Sequence, residues 1–170
     1  MRVLWGADKD AMDFVAKRMP PLFGDSIRYA GEYRAAAVIN EQGEMVAGVV
    51  FNDYHPNFRT IMVHLAADTP RWATHRIIGE ILGWAFVRSG INKVWGVTPA
   101  HLTRVLRFNA GIGFVREAVL RDQYGEGRHA VVTGMLAKEY RKFYIDNGGI
   151  QALARHRAKM RPHLERLEAA

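Results

Sequence analysis

The feature that most constrains this fold is a change of hydrophobic period at Asp68-Thr69-Pro70. Just before it, Ile61, Val63 and Leu65 alternate with Met62, His64 and Ala66, the period-two pattern of a strand. Just after it, Ile77, Ile78, Ile81, Leu82, Ala85 and Phe86 fall on one face of a helix. Asp68-Thr69-Pro70 itself reads as a helix start, a capping side chain followed by proline. Gly90 ends the helix, and Lys93–Thr98 reads as a buried strand. A chain that passes from strand to helix to strand builds a crossover, and the elements around it set the class.

Upstream, a short strand over Arg2–Trp5 precedes a helix that Asp8 or Asp10 caps. It carries Phe14 and Val15 to about Arg18 and stops at Met19-Pro20-Pro21. Residues 22–31, with Gly24, Asp25 and Gly31, read as a loop. Strands follow over Tyr33–Asn40, Met45–Tyr54 and Arg59–Ala66, with turns at Glu41-Gln42-Gly43-Glu44 and His55-Pro56-Asn57. Downstream, Pro99 starts a helix through Ala110, and Gly111-Ile112-Gly113-Phe114 closes it. Strands over Phe114–Leu120 and Ala130–Leu136 flank a turn at Tyr124–Gly127. A helix over Lys138–Tyr144 breaks at Asn147-Gly148-Gly149, and a basic helical arm runs from Ile150 to Ala170. The expected class is α+β: a mostly antiparallel central sheet flanked by helices, with a C-terminal helical arm. The expected division is a domain over residues 1–144 and a basic extension over 145–170.

Composition narrows the chemistry. The chain has no cysteine, so disulfides, thiol nucleophiles and Cys-based zinc sites are excluded. Its seven histidines show no ligand spacing and no His-Glu-x-x-His, so no metal is expected. Residues 1–8 lack the apolar core of a secretion signal, and no apolar run approaches a membrane span, so the expected location is the cytoplasm and no membrane partner is expected. The net charge of +7 is uneven: residues 1–69 hold 7 basic and 9 acidic side chains, residues 70–170 hold 17 and 8. Within the latter, residues 70–150 carry 12 basic and 6 acidic side chains. An anionic partner should therefore meet the stretch after the period change, which favours a small polyanion over nucleic acid.

Two passages resemble the GCN5-related N-acetyltransferase (GNAT) superfamily. One is Met62–Asp68 running through Arg71–Arg76 into the helix that ends Gly83-Trp84-Ala85-Phe86. It is similar to that family's central strand, pyrophosphate loop and cofactor helix. The other is Thr98-Pro99 through Arg107-Phe108-Asn109-Ala110-Gly111-Ile112-Gly113-Phe114 to Arg121. It is similar to the helix that ends in Gly-Phe before a strand, above all in phage and proteobacterial members. Two positions depart from the pattern. Thr74 and Arg76 stand where loop glycines are usual, and Asn109 stands where a general-acid tyrosine is usual.

The resemblance implies an acetyl-CoA-dependent N-acetyltransferase acting on an amine in a ternary complex. It implies cofactor contacts from Leu65 and Ala66, from the loop Arg71, Trp72, Ala73, Thr74, His75 and Arg76, and from Phe108 and Asn109. The residues allow this chemistry. A helix N-terminus offers unpaired amides to phosphate, and Arg71, His75 and Arg76 add donors beside them. His64 is the candidate base on the central strand, with Glu32, Asp53 and His55 as alternatives. The thiolate needs a proton from Tyr124, from water held at Asn109, or from solvent. Arg104 and Arg107 share a helix face but read as solubilising. Arg155, Arg157, Lys159, Arg161 and Arg166 make the arm basic; an anion- or nucleic-acid-binding arm is one reading, and the favoured one is a helix packed on the body or on a neighbouring subunit of a homodimer, or a frayed tail. The rival reading is a non-catalytic binding protein of the same fold, taking CoA or nucleic acid.

Overall fold

The computed structural model describes residues 1–19 and 31–168, with side chains through residue 162. The expected loop over 22–31 lies outside the described residues except for Gly31. The chain forms two compact units, Met1–Asn92 and Lys93–Ala170. Their elements make an α+β fold with largely antiparallel strand pairing, flanking helices and a C-terminal helical arm, as the order of elements predicts.

In the first unit, β1 (Arg2–Trp5), β2 (Arg34–Ile39), β3 (Met45–His55) and β4 (Thr60–Ala67) pair in sequence order, each antiparallel to the next. The β2–β3 turn is organised by Asn40, whose Oδ1 accepts from the amides of Gln42 at 3.0 Å and Glu44 at 2.9 Å. Helix α1 (Asp8–Arg18) buries Ala11, Met12, Phe14 and Val15 against Ala35, Ala37, Ile39 and Val50. The helix comes close because the strand residues beneath it are small. A Cβ on Gly48 would stand 2.9 Å from Val15 Cγ2 and 3.0 Å from the Ala11 carbonyl oxygen.

The aspartates expected to cap α1 do not do so. Ala7 holds the N-cap position without a side-chain bond. Asp8 Oδ1 instead accepts from the Ala35 amide at 2.7 Å, tying the helix start to β2. The second expected helix start is also displaced. Thr69 caps a short 3₁₀ turn, Pro70–Trp72, and helix α2 (His75–Gly83) begins five residues beyond Pro70. It runs on as a π turn, Trp84–Arg88, closed by the bond from the Ser89 amide to the Trp84 carbonyl at 3.0 Å. The Trp84 ring packs on Phe51 at 5.1 Å and on Trp5 at 5.4 Å. Phe51 and Val50 are neighbours on β3, so α1 and Trp84 cover opposite faces of this sheet.

In the second unit, β7 (Ala130–Leu136) lies between β5 (Lys93–Pro99) and β6 (Val115–Leu120), antiparallel to both. Pro99 ends β5 rather than starting a helix, and α3 runs over Thr103–Gly111. A Lys93–Glu117 ion pair of 2.5 Å crosses above Gly134, where a Cβ would stand 2.7 Å from Glu117 Oε1. Gly113 takes a φ of 103°, and a Cβ there would stand 2.7 Å from Phe143 Cδ2. Helix α4 (Ala137–Tyr140) continues as a π turn, Arg141–Ile145, and α5 (Gly149–Glu168) follows. The α5 arm packs on α3. Ala152 and Leu153 are buried with Phe143, and Arg157 Nε donates to the Gly111 carbonyl at 2.6 Å. That cation satisfies a carbonyl at the C-terminus of α3, where the helix dipole favours it.

Candidate functional site

On β4, His64 stands opposite Val50 of β3, and its ring Nε2 lies 3.0 Å from Asn52 Oδ1. The amide oxygen can only accept, so Nε2 carries the proton and Nδ1 keeps the lone pair. Burial pushes the imidazole pKa down to about 4, against the opposing pull of the Asp53 charge. His64 is therefore neutral at neutral pH, its ring oriented by one hydrogen bond. Asn52 is itself 3% exposed. It was not among the sequence candidates; the signal for it was a polar residue after the apolar run of β3. Toward β3, the pairing of β4 is regular from Met62 to Ala67 and so passes through Leu65 and Ala66. The register shift in this pair lies between Asn52 and His55, where Asp53 adopts a φ of 51°.

Beyond β4, the loop residues divide by what they already do. Trp72 is buried at 2% exposure and anchors the 3₁₀ turn. Ala73 is half-buried, and its amide donates to the Pro70 carbonyl. Thr74 has an extended backbone, φ −74° and ψ 155°, which any residue adopts, so no glycine is needed there. Its hydroxyl accepts from the Ile77 amide at 3.3 Å and caps α2. The Arg76 guanidinium donates to the Met1 carbonyl at 2.8 Å and faces Glu80 at 3.6 Å. Arg71 is exposed, and His75 is half-buried at the first turn of α2. At the α2 N-terminus the Thr74 hydroxyl already serves the Ile77 amide, while the Arg71 side chain stands exposed beside the first turn.

In the second unit, Asn109 lies on α3 and its Nδ2 donates to Thr98 Oγ1 at 3.3 Å and to Thr133 Oγ1 at 3.4 Å. Thr98 and Thr133 are buried, so the amide is fixed to β5 near its end and to the middle of β7. A carboxamide supplies hydrogen bonds but no acidic proton. Phe108, beside it, is half-buried. Tyr124 sits in the β6–β7 turn, where burial raises its phenol pKa and keeps it protonated but weakly acidic.

The first unit also contains a cavity of 680 Å³. Glu32, Tyr33 and Arg34 line it from the entry to β2, Phe51, Asn52 and Tyr54 from β3, and Ile61 from β4. Both ends of the π turn, Trp84 and Ser89, complete it with Ile91. Asn52 thus faces the cavity and holds His64. Of the alternative bases, Glu32 lines the cavity, while Asp53 and His55 do not. The His55 ring stacks on Phe58 at 4.5 Å.

No family model matches the chain. No curated protein matches it in sequence. Solved structures do match it in shape. One is a point mutant of spermidine N-acetyltransferase SpeG from Vibrio cholerae, with 13% identity, a TM-score of 0.64, and coverage of 82% of this chain and 97% of that one. Another is a dodecameric structure of spermidine N-acetyltransferase from Vibrio cholerae in an intermediate state, with 12% identity, a TM-score of 0.63, and coverage of 82% and 95%. The chain has the fold of these acetyltransferases. Within this acetyltransferase fold, no group of three or more His, Asp or Glu residues that could hold a metal occurs among the described residues. No helix among them is long and apolar enough to cross a membrane.

Proposed function

We propose that the protein is an acetyl-CoA-dependent N-acetyltransferase that moves the acetyl group directly to an amine. The observation that carries this reading is the oriented, neutral imidazole of His64 on the strand that leads into the α2 N-terminus, within a fold shared with acetyltransferases. Spermidine belongs to the names of those structures; an identity of 13% carries no acceptor to this chain.

Acetyl transfer needs a neutral amine held near the thioester. As nitrogen attacks the carbonyl carbon, a C–N bond forms, and collapse of the adduct breaks the C–S bond. The attacking nitrogen then bears a strongly acidic proton, and Nδ1 of His64 takes it. An imidazole with a pKa near 4 is too weak to deprotonate a free ammonium, so its work falls after attack has begun. In this reading, amides near Leu65 and Ala66 polarise the thioester carbonyl, Arg71 and the first turn of α2 hold the pyrophosphate, and Phe108 and Asn109 flank the pantetheine arm. Tyr124 or water returns a proton to the thiolate.

The alternative is a non-catalytic binding protein. It is favoured by the engagement of Arg76 with Met1 and Glu80, which leaves the loop one fewer cation. Thermal-shift titration with acetyl-CoA, CoA and a short DNA duplex, followed by thiol-release assays over an amine panel, decides between them. Stabilisation by acetyl-CoA with turnover that falls in His64→Ala supports the transferase. A salt-sensitive shift with DNA alone supports the alternative.

A further inference from the structure

The lining of the cavity in the first unit speaks to acceptor chemistry, and the inference rests on the acetyltransferase reading. Phe51, Trp84, Ile61 and Ile91 form apolar walls, and Tyr33 and Tyr54 add two rings. Against these stands, among the described residues, one carboxylate, Glu32. It has no hydrogen bond or ion pair to another described residue. The one cation in the lining, Arg34, faces the Asp8 carboxylate at 3.8 Å, and Asp8 is not part of the lining. Among the described residues, the lining thus holds one carboxylate without a side-chain partner, Glu32, near aromatic rings, whose faces also attract cations.

A single ammonium neutralises that charge. A second ammonium placed among the apolar walls would lose its water without a counter-ion. At 680 Å³ the space is far larger than an ammonium group and falls in the range of small-molecule sites. We propose that this cavity binds a primary monoamine with an aromatic or branched apolar body, Glu32 holding the ammonium and Trp84 and Phe51 packing the body. This amine class, rather than a polyamine, is the acetyl acceptor.

The test titrates 2-phenylethylamine into the full chain, with and without CoA, following tryptophan fluorescence and heat of binding. Spermidine and 3-phenylpropionate are run beside it. The expected result is saturable binding of 2-phenylethylamine about tenfold or more tighter than spermidine, weakened about tenfold by Glu32→Gln. Glu32→Lys should bind 3-phenylpropionate instead. Glu32 is exposed, so both variants should keep the wild-type circular dichroism spectrum. Equal or tighter binding of spermidine, absence of binding by 2-phenylethylamine, or indifference to Glu32→Gln overturns the proposal. The two readings fail separately. If acetyl-CoA binds and spermidine is acetylated while 2-phenylethylamine does not bind, the cavity assignment falls and acetyl transfer stands. If 2-phenylethylamine binds through Glu32 but acetyl-CoA neither binds nor releases thiol, acetyl transfer falls and the ligand class stands.

Discussion

Asn52 Oδ1 accepts a hydrogen bond from His64 Nε2 across the β3–β4 pair at 3.0 Å. One buried amide thus selects the tautomer and leaves the lone pair on Nδ1. Replacing the amide by a carboxylate keeps the geometry and adds charge. Asn52→Asp should raise the His64 pKa from about 4 by one unit or more, because an adjacent anion favours imidazolium. NMR titration of the imidazole carbons measures it; an unmoved midpoint refutes the contact. In acetyl transfer, the acid limb of kcat/KM set by His64 should move upward with it.

The same imidazole makes stability depend on pH. Its folded pKa of about 4 lies below the ordinary 6.5, so the unfolded chain binds a proton the folded chain rejects. Its contribution is complete above pH 6.5 and is lost as pH falls toward 4. The loss approaches an order of about 3 kcal/mol at the acid end. Urea unfolding at several pH values should show this slope in wild type and a shallower one in His64→Gln.

The α2 start sets a threonine that caps the helix beside an exposed arginine, Arg71. Thr74→Ala should cost about 1 kcal/mol by removing the cap, and Thr74→Gly only a few tenths. Arg71→Ala should weaken acetyl-CoA binding about tenfold at unchanged stability. Arg76→Ala should weaken it far less, since its guanidinium already serves Met1 and Glu80. Calorimetric affinities that rank Arg76 above Arg71 would reverse this division.

Gly113 meets two constraints at once, a φ of 103° and the Phe143 ring where a Cβ would go. Gly113→Ala should cost at least about 2 kcal/mol, combining backbone strain with overpacking. Gly127, with φ 71° but open space around it, should lose less on the same change. Chemical denaturation of the two variants compares them directly.

Element type and order were legible because each element carries its own period. The alternation through Leu65 and the helical face from Ile77 to Phe86 need no partner to be recognised. Boundaries were less legible where local signals compete. Asp68, Thr69 and Pro70 make a valid cap, but the cap closes a 3₁₀ turn and Thr74 provides a second. Asp8 has the chemistry of an N-cap, yet the Ala35 amide, 27 residues away, claims its carboxylate.

For the candidate site, sequence named His64 as the candidate base, with Glu32, Asp53 and His55 as alternatives if their loops line the cleft. Their roles depend on distance and dielectric, which a linear chain does not carry. Pairing β3 with β4 brings Asn52 to His64, and burial lowers its pKa. The π turn sets Trp84 beside Phe51, and both line the same cavity as Glu32. Periodicity is a property of neighbours in the chain and survives without the fold. Hydrogen-bond partners, desolvation and cavity walls come from residues far apart in sequence, and they exist once the strands have paired.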